Sequence, residues 1–213
     1  MHYNVKCLTV GALNTNCYIL KDDGSHAAVV IDPGADAILI KSELLNMDAY
    51  PSVILLTHGH FDHILALDEL RTEKSTVCIH EKDAGLLQQS DLIPPNVLGY
   101  NPWPFKKADI LFGDRDRHIS IGEFKFEVIH TPGHTEGSVC YLFDDLLFTG
   151  DTLFHGGKGR TDFSGGDSEK MKKSLELLYN MPGDYAIYPG HDKASTLSEE
   201  RLHNPYLKGE ARI

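Results

Sequence analysis

The sequence lacks the marks of several protein classes. No stretch of its 213 residues is apolar for long enough to cross a membrane, so no membrane span is predicted. The four cysteines stand singly and form no CxxC pair, which excludes the common zinc-knuckle and dithiol redox spacings. The N-terminal residues show no basic segment followed by an apolar block and are predicted to form strand, not a signal peptide. We therefore expect a cytoplasmic protein with buried, reduced thiols.

Positive charge is also scarce. The chain has 20 Lys and Arg against 31 Asp and Glu, and its formal net charge is −11. Because proteins that bind nucleic acid are usually basic or carry a basic stripe, no nucleic-acid partner is expected. The length and the absence of a linker or repeat predict a single domain over residues 1–213, as a monomer or a homodimer.

Apolar alternation and turn residues predict two strand-rich halves that each carry helices. Predicted strands lie at 3–10, 16–21, 27–32, 52–56, 76–80, in a hairpin over 118–130, and at 138–143, 146–151 and 185–191. Predicted helices lie at 36–47, 64–72, 81–89, 168–180 and just before Pro205. The regular strand–helix alternation of a doubly wound sheet is missing, so the pattern favours an α/β sandwich of stacked mixed sheets with helices outside.

Histidine and aspartate are concentrated where predicted strands end. The segment "THGHFDH" places His58, His60, Asp62 and His63 in one bend after an apolar strand. The same residue types follow three later strands, in "TPGH", "FTGD" and "YPGH": His134, Asp151 and His191. Loops at strand ends are common places for functional sites, and burying so many polar groups without compensation would be costly. We therefore predict that these residues bind metal.

Imidazole and carboxylate groups are the nitrogen and oxygen ligands that zinc takes. A natural division assigns two ions: His58, His60 and His134 to one, and Asp62, His63 and His191 to the other, with Asp151 as the bridge. A bridging water would be ionised near neutral pH. The sequence therefore predicts two divalent ions, with Zn favoured and Fe or Mn as alternatives.

These motifs, in this order, resemble those of the metallo-β-lactamase superfamily over nearly the whole chain. The resemblance implies a four-layer αββα sandwich, the metallo-β-lactamase fold, with the metal site at one edge. "GRTDFSGGD" at 159–167 and the tail "STLSEERLHNPYL" resemble the short glyoxalase II-like hydrolases of that superfamily. That likeness implies a thioesterase for S-D-lactoylglutathione or a related acyl-thioester, with a small-molecule substrate such as a glutathione conjugate.

In such a hydrolase, a metal-bridging hydroxide attacks the thioester carbonyl. The resemblance implies that Asp62 orients this hydroxide and accepts its proton as the catalytic residue. Larger members have a helical domain that helps to hold glutathione, and this sequence has no counterpart of it. The resemblance therefore does not specify which acyl-thioester is the substrate.

Two other functions remain alternatives. Persulfide dioxygenases of the same superfamily share "GRTDF" and use one iron, held by the equivalents of His58, His134 and Asp151. A non-catalytic metal-binding protein is the third interpretation. It is less favoured, because structural zinc sites are closed and the predicted site keeps an open bridging position.

Side chains around the predicted ligands are further candidates. Lys158 and Arg160, in a glycine-rich turn after Asp151, are predicted to bind substrate carboxylates, with a solvated basic turn as the alternative. His130 and His155 are the other histidines that could lie next to the site. Aromatic side chains in the proline-rich loop 91–108 are expected either to pack or to line the substrate pocket: Tyr100, Trp103 and Phe105.

Overall fold

The computed structural model describes residues 3–89 and 103–211. The chain forms two compact units, Met1–Phe112 and Gly113–Ile213. Within the described ranges, none of the helices has both the length and the apolar character that a membrane span requires.

The first unit is built on a mixed six-stranded sheet with strand order β1-β2-β3-β4-β5-β6. Its strands are β1 (Tyr3–Val10), β2 (Thr15–Asp22), β3 (Ala27–Ile31), β4 (Tyr50–Leu55), β5 (Thr76–His80) and β6 (Ile110–Phe112). The first three strands pair antiparallel, and β3 to β6 run parallel. Because parallel strands end at the same edge, the segments after β3 and β4 emerge side by side.

The described residues of the first unit also form two helices and two 3-10 turns. Helix α1 spans Ala37–Asn46 and α2 spans Leu67–Leu70, while Phe61–His63 and Ala84–Gln88 form 3-10 turns. The predicted helices at 64–72 and 81–89 are therefore wrong in extent or type. Helix α1 buries Ala37, Ile40 and Leu44, whereas Ile38 and Leu45 are 83% and 78% exposed.

The second unit contains the sheet β14-β13-β10-β9-β8-β7 and a small hairpin, β11-β12. Its strands are β7 (His118–Ile121), β8 (Phe124–His130), β9 (Val139–Phe143), β10 (Leu146–Gly150), β11 (Leu153–Phe154), β12 (Gly157–Lys158), β13 (Ala186–Pro189) and β14 (Ser195–Thr196). Strands β10 and β13 are parallel, and the other pairs are antiparallel.

Helices α3 (Ser168–Tyr179) and α4 (Leu197–His203) pack on the second unit's core. The side chain of Asp167 caps α3 by accepting hydrogen bonds from the backbone N–H groups of Glu169 and Lys170, which have no partner within the helix. Met171, Leu175 and Leu178 form its buried face, and their spacing is that of one apolar stripe on a helix. Helix α4 ends ahead of Pro205, as expected.

The predicted strands are confirmed to within about two residues at most ends. The short edge strand β6 was not predicted, because "ILF" is too brief to show an alternating pattern. Three cysteines are buried, and burial raises the pKa of Cys78 and of Cys140 to about 12. Cys7 is exposed, so the prediction of a buried thiol is wrong there, since residue 7 lies on an edge strand.

Candidate metal centre

Two parallel strand ends position the first group of candidate ligands. Strand β3 is followed by Asp32, and β4 by Thr57 and His58. The backbone N–H of Asp32 donates to the carbonyl of Leu55, which ties the two strand ends together. Asp32 adopts a left-handed backbone conformation with φ of 52°, which turns the chain sharply after β3.

The bend after β4 gathers the imidazoles. The ring of His58 lies 4.7 Å from that of His60 and 4.2 Å from that of His63, measured between centroids. Both His58 and His63 are buried. The Nε2 atom of His63 lies 3.5 Å from the Oδ2 atom of Asp62, so a nitrogen and an oxygen ligand face each other within this unit.

Asp32 orients this group and is not among the residues predicted from the sequence. Its Oδ1 accepts from the backbone N–H of Thr57 at 2.7 Å, and its Oδ2 accepts from the Thr57 hydroxyl at 2.6 Å. The Oδ2 atom also lies 2.9 Å from His63 Nδ1. A histidine whose Nδ1 binds a carboxylate presents Nε2 in a fixed direction. "DPG" directly after an apolar strand is the same kind of signal as "FTGD" and could have indicated Asp32.

Asp62 is held from two sides. The hydroxyl of Thr15 donates to Asp62 Oδ2 at 3.0 Å. Gly34 packs so closely that a Cβ atom added there would lie 1.7 Å from the backbone oxygen of Asp62. A glycine is required at position 34 because any side chain would displace the bend that carries Asp62.

In the second unit, three strand ends bring together the other candidate ligands. His134, Asp151 and His191 follow β8, β10 and β13 respectively. His134 Nε2 lies 3.4 Å from Asp151 Oδ2, and His191 Nε2 lies 3.7 Å from the same oxygen. The Nδ1 atom of His134 is 2.7 Å from the carbonyl oxygen of Arg160, which fixes the ring so that Nε2 faces Asp151.

These separations fit metal ligands. Zinc binds nitrogen and oxygen at about 2.0–2.2 Å, so two ligands of a tetrahedral ion lie about 3.3–3.6 Å apart. The pairs Asp62–His63 and His134–Asp151, at 3.5 and 3.4 Å, match that spacing and are longer than good hydrogen bonds. His191 lies slightly farther from Asp151, at 3.7 Å. Each unit thus supplies a nitrogen- and oxygen-rich group suited to divalent ions.

The glycine-rich turn that carries Lys158 and Arg160 packs directly on these ligands. A Cβ atom at Gly159 would lie 1.8 Å from the backbone oxygen of Asp151 and 3.3 Å from the ring of His134. Arg160 is exposed, donates two hydrogen bonds to Asp162 and stacks on Phe163. Its guanidinium is therefore already held as a planar, oriented group.

Lys158 is half-buried, with its ammonium 5.5 Å from the centre of the Tyr206 ring. Burial lowers the pKa of Lys158, while the charge of Asp162 acts in the opposite direction. The lysine and the arginine thus occupy different environments, although only one residue separates them.

The remaining candidates have structural contacts. His155 Nδ1 lies 3.0 Å from the buried Glu200, and His130 Nε2 lies 2.9 Å from the carbonyl oxygen of Glu136. Phe105 is buried in the core of the first unit, and the Trp103 indole donates to the carbonyl of Leu86, so both aromatics pack. Tyr100 lies outside the described residues.

Comparison with known proteins identifies relatives over almost the full length. Residues 10–191 match the model of the metallo-beta-lactamase superfamily. "Probable metallo-hydrolase YqgX" of Bacillus subtilis is 36% identical over 95% of this chain and 96% of its own length. "Hydroxyacylglutathione hydrolase GloC" of Haemophilus influenzae is 33% identical over 98% of this chain and 100% of its own length.

Solved structures show the same relationship. BLEG-1 B3 metallo-beta-lactamase superimposes with a TM-score of 0.89 at 37% identity, covering 97% of this chain and 100% of its own. TTHA1623 in a di-iron-bound form has a TM-score of 0.79 at 30% identity, over 94% and 99% of the two chains. ETHE1 from Myxococcus xanthus has a TM-score of 0.79 at 30% identity, over 100% of this chain and 87% of its own.

Proposed function

Because this chain belongs to the metallo-β-lactamase superfamily, with the fold of that family, we propose that it is a dinuclear metal hydrolase that cleaves acyl-thioesters of the glutathione type. The family and fold predicted from the sequence are confirmed. The chain is a member of a metallo-hydrolase superfamily with glyoxalase II-like and ETHE1-like neighbours, and a hydroxyacylglutathione hydrolase is among its relatives. That relative supports S-D-lactoylglutathione or a related thioester as the substrate.

The observation that carries the proposal is the ligand-like spacing of oriented nitrogen and oxygen atoms in both units. We assign His58, His60 and His134 to one ion and Asp62, His63 and His191 to the other, with Asp151 shared. When bound, such ions supply a hydroxide at neutral pH and polarise a carbonyl oxygen. Zn is favoured, with Fe and Mn as alternatives, since imidazole and carboxylate suit all three.

The chain's own residues orient the reactants. Asp62, which Thr15 and Gly34 hold in place, accepts the proton of the attacking water. Lys158 and Arg160 bind the carboxylates of the glutathione carrier. The planar guanidinium of Arg160 is suited to this, because its contacts with Asp162 and Phe163 already restrict its rotamers.

Persulfide dioxygenation is the second candidate, favoured by the similarity to ETHE1 over the whole chain. His58, His134 and Asp151 could form the two-histidine, one-carboxylate set of an oxygenase iron. The hydrolase has the better support, because Asp32 and Thr15 also orient His63 and Asp62, which a one-iron enzyme would not need as ligands.

One experiment separates these functions. Zinc-loaded and iron-loaded samples are each given S-D-lactoylglutathione and glutathione persulfide, while thiol release and oxygen uptake are recorded. We expect thiol release from the thioester without oxygen uptake. Oxygen consumption restricted to iron and persulfide, with negligible thioester turnover in both samples, would show that the protein is a dioxygenase. Turnover of neither substrate would favour the third interpretation, a metal-binding protein without catalytic activity.

The family match runs from residue 10 to residue 191 and takes in most of both units. This range supports the proposal that residues 1–213 act as one functional domain.

A further inference from the structure

A cavity in the first unit opens beside Asp62. It has a volume of about 290 Å³, at the small end of ligand pockets, so it suits part of a small molecule. The largest apolar side chains around it are those of Val10, Leu13, Phe61 and Leu65. Leu13 is 52% exposed on the turn between β1 and β2, where a large apolar side chain gains little from the core.

The charged residues around this cavity all have the same sign. Asp36, Asp62 and Glu69 line it, and none of the described residues that line it is Lys, Arg or His. Asp36 Oδ2 accepts from the backbone N–H of Gly11 at 2.9 Å, which fixes that carboxylate, and Glu69 is exposed. An anionic group entering the cavity would meet the like charges of Asp36 and Glu69 and would lose hydration against the apolar walls.

We propose that this cavity binds the acyl group of the thioester and selects neutral, apolar acyl chains over acyl chains that end in a carboxylate. The inference rests on the proposed function, since Asp62 is the residue assigned to the reacting water. The group in the cavity is then bonded to the reacting carbonyl and is either the acyl chain or the thiol carrier. Glutathione carries two carboxylates and one ammonium, so its net charge is negative, and the acidic, partly apolar lining favours the acyl chain over the carrier as the occupant.

The apolar lining also predicts how kcat/KM depends on the length of the acyl chain. Burying one methylene is worth about 0.8 kcal/mol, so kcat/KM should rise about fourfold per added methylene until the cavity is full. Butyryl and succinyl thioesters have the same carbon chain length and differ in a terminal methyl or carboxylate. We expect kcat/KM for S-butyrylglutathione to exceed that for S-succinylglutathione by about tenfold or more.

Charge reversal tests the role of the acidic lining. Glu69→Lys should reduce the butyryl-to-succinyl ratio by about fivefold or more. Glu73→Lys makes the same change in net charge on an exposed residue that does not line the cavity, and should leave the ratio unchanged. Leu13→Ala should reduce the gain in kcat/KM per added methylene. Leu177 is a similarly exposed leucine on α3, and Leu177→Ala should leave this gain unchanged.

Binding of non-hydrolysable thioethers tests the cavity independently of turnover. S-butylglutathione, S-(2-carboxyethyl)glutathione and S-(3-aminopropyl)glutathione share one carrier, so calorimetric differences among them report the group on sulfur. We expect the butyl compound to bind most tightly, with Glu69→Lys improving only the carboxyethyl compound.

The outcomes are distinct. Absence of turnover with every acyl chain would overturn the proposed function, and the thioether series would then decide the cavity by itself. Turnover without a butyryl preference, a ratio unaffected by Glu69→Lys, or tightest binding of the aminopropyl compound would each overturn the cavity proposal.

Discussion

The Nδ1 atom of His63 lies 2.9 Å from the Oδ2 atom of Asp32, although the two residues are 31 positions apart in the sequence. Both side chains are buried, and the same carboxylate accepts two hydrogen bonds from Thr57. Asp32 therefore acts as a positioning group that links the end of β3 to the bend after β4. With three protein donors around it, Asp32 is placed to orient His63, one of the candidate ligands.

Asp32→Asn should weaken metal binding. An amide offers one oxygen where the carboxylate offers two, so at least one of the three hydrogen bonds is lost. We expect zinc affinity to fall by about 10- to 100-fold, as measured by competition with a chromophoric chelator. Asparagine tolerates the left-handed backbone of position 32, so the fold should persist. Asp23→Asn, at an exposed position, is the control, and equal affinities in the two variants would contradict the role of Asp32.

Asp151→Ala should change the metal content. Elemental analysis of the loaded protein should give two ions per chain, and the variant should retain at most one, because both His134 and His191 face Asp151. Asp145→Ala, an exposed aspartate in the turn before β10, should retain both. A single firmly bound ion in the unaltered protein, with none added on supplementation, would exclude the dinuclear centre.

Arg160→Ala should raise KM for a glutathione thioester by about tenfold, the loss expected for one charge-assisted hydrogen bond, with kcat less affected. Arg160→Lys should rescue only part of this loss, since lysine lacks the planar fork. Arg117→Ala removes another exposed arginine of the second unit and serves as control. An unchanged KM would show that the Arg160 side chain does not bind substrate, and that the residue contributes only through the contact of its carbonyl oxygen with His134.

Glu200→Gln should remove stability that depends on pH. Burial raises the pKa of Glu200, but hydrogen bonds from Gly156, Asn204 and His155 outweigh it and hold the pKa below the ordinary 4.5. A depressed carboxylate pKa stabilises the fold above the unfolded-state value, and the effect disappears as pH falls through the folded-state value. The difference in unfolding free energy from the unaltered protein should be about 1.5–3 kcal/mol at pH 7.

This difference should shrink steadily below pH 4.5 in urea titrations. Glu199→Gln alters the exposed neighbour on α4 and should show little difference at any pH. If the difference in unfolding free energy between Glu200→Gln and the unaltered protein stays constant down to pH 3, the carboxylate charge contributes nothing to stability.

Local patterns in the sequence determined much of this protein. The spacing in "THGHFDH" and the placement of His134, Asp151 and His191 after apolar strands identify the candidate ligands without coordinates, because the residue that ends a strand is set by nearby residues. The helix predicted at 168–180 corresponds to α3, because the spacing of its apolar residues is also a local pattern. Local spacing predicted residues 64–72 less well. The predicted helix there is reduced to the short helix α2 in the folded protein.

The supporting contacts were decided by tertiary structure alone. Asp32 approaches His63 because β3 and β4 pair in parallel with a particular register. Glu200 reaches His155 across 45 residues, and Arg160 turns its carbonyl toward His134 across 26. No local pattern encodes such pairs, because they depend on strand order, register and helix docking, which the whole core determines. The sequence therefore identifies the candidate ligands, and the fold determines which neighbours hold them in place.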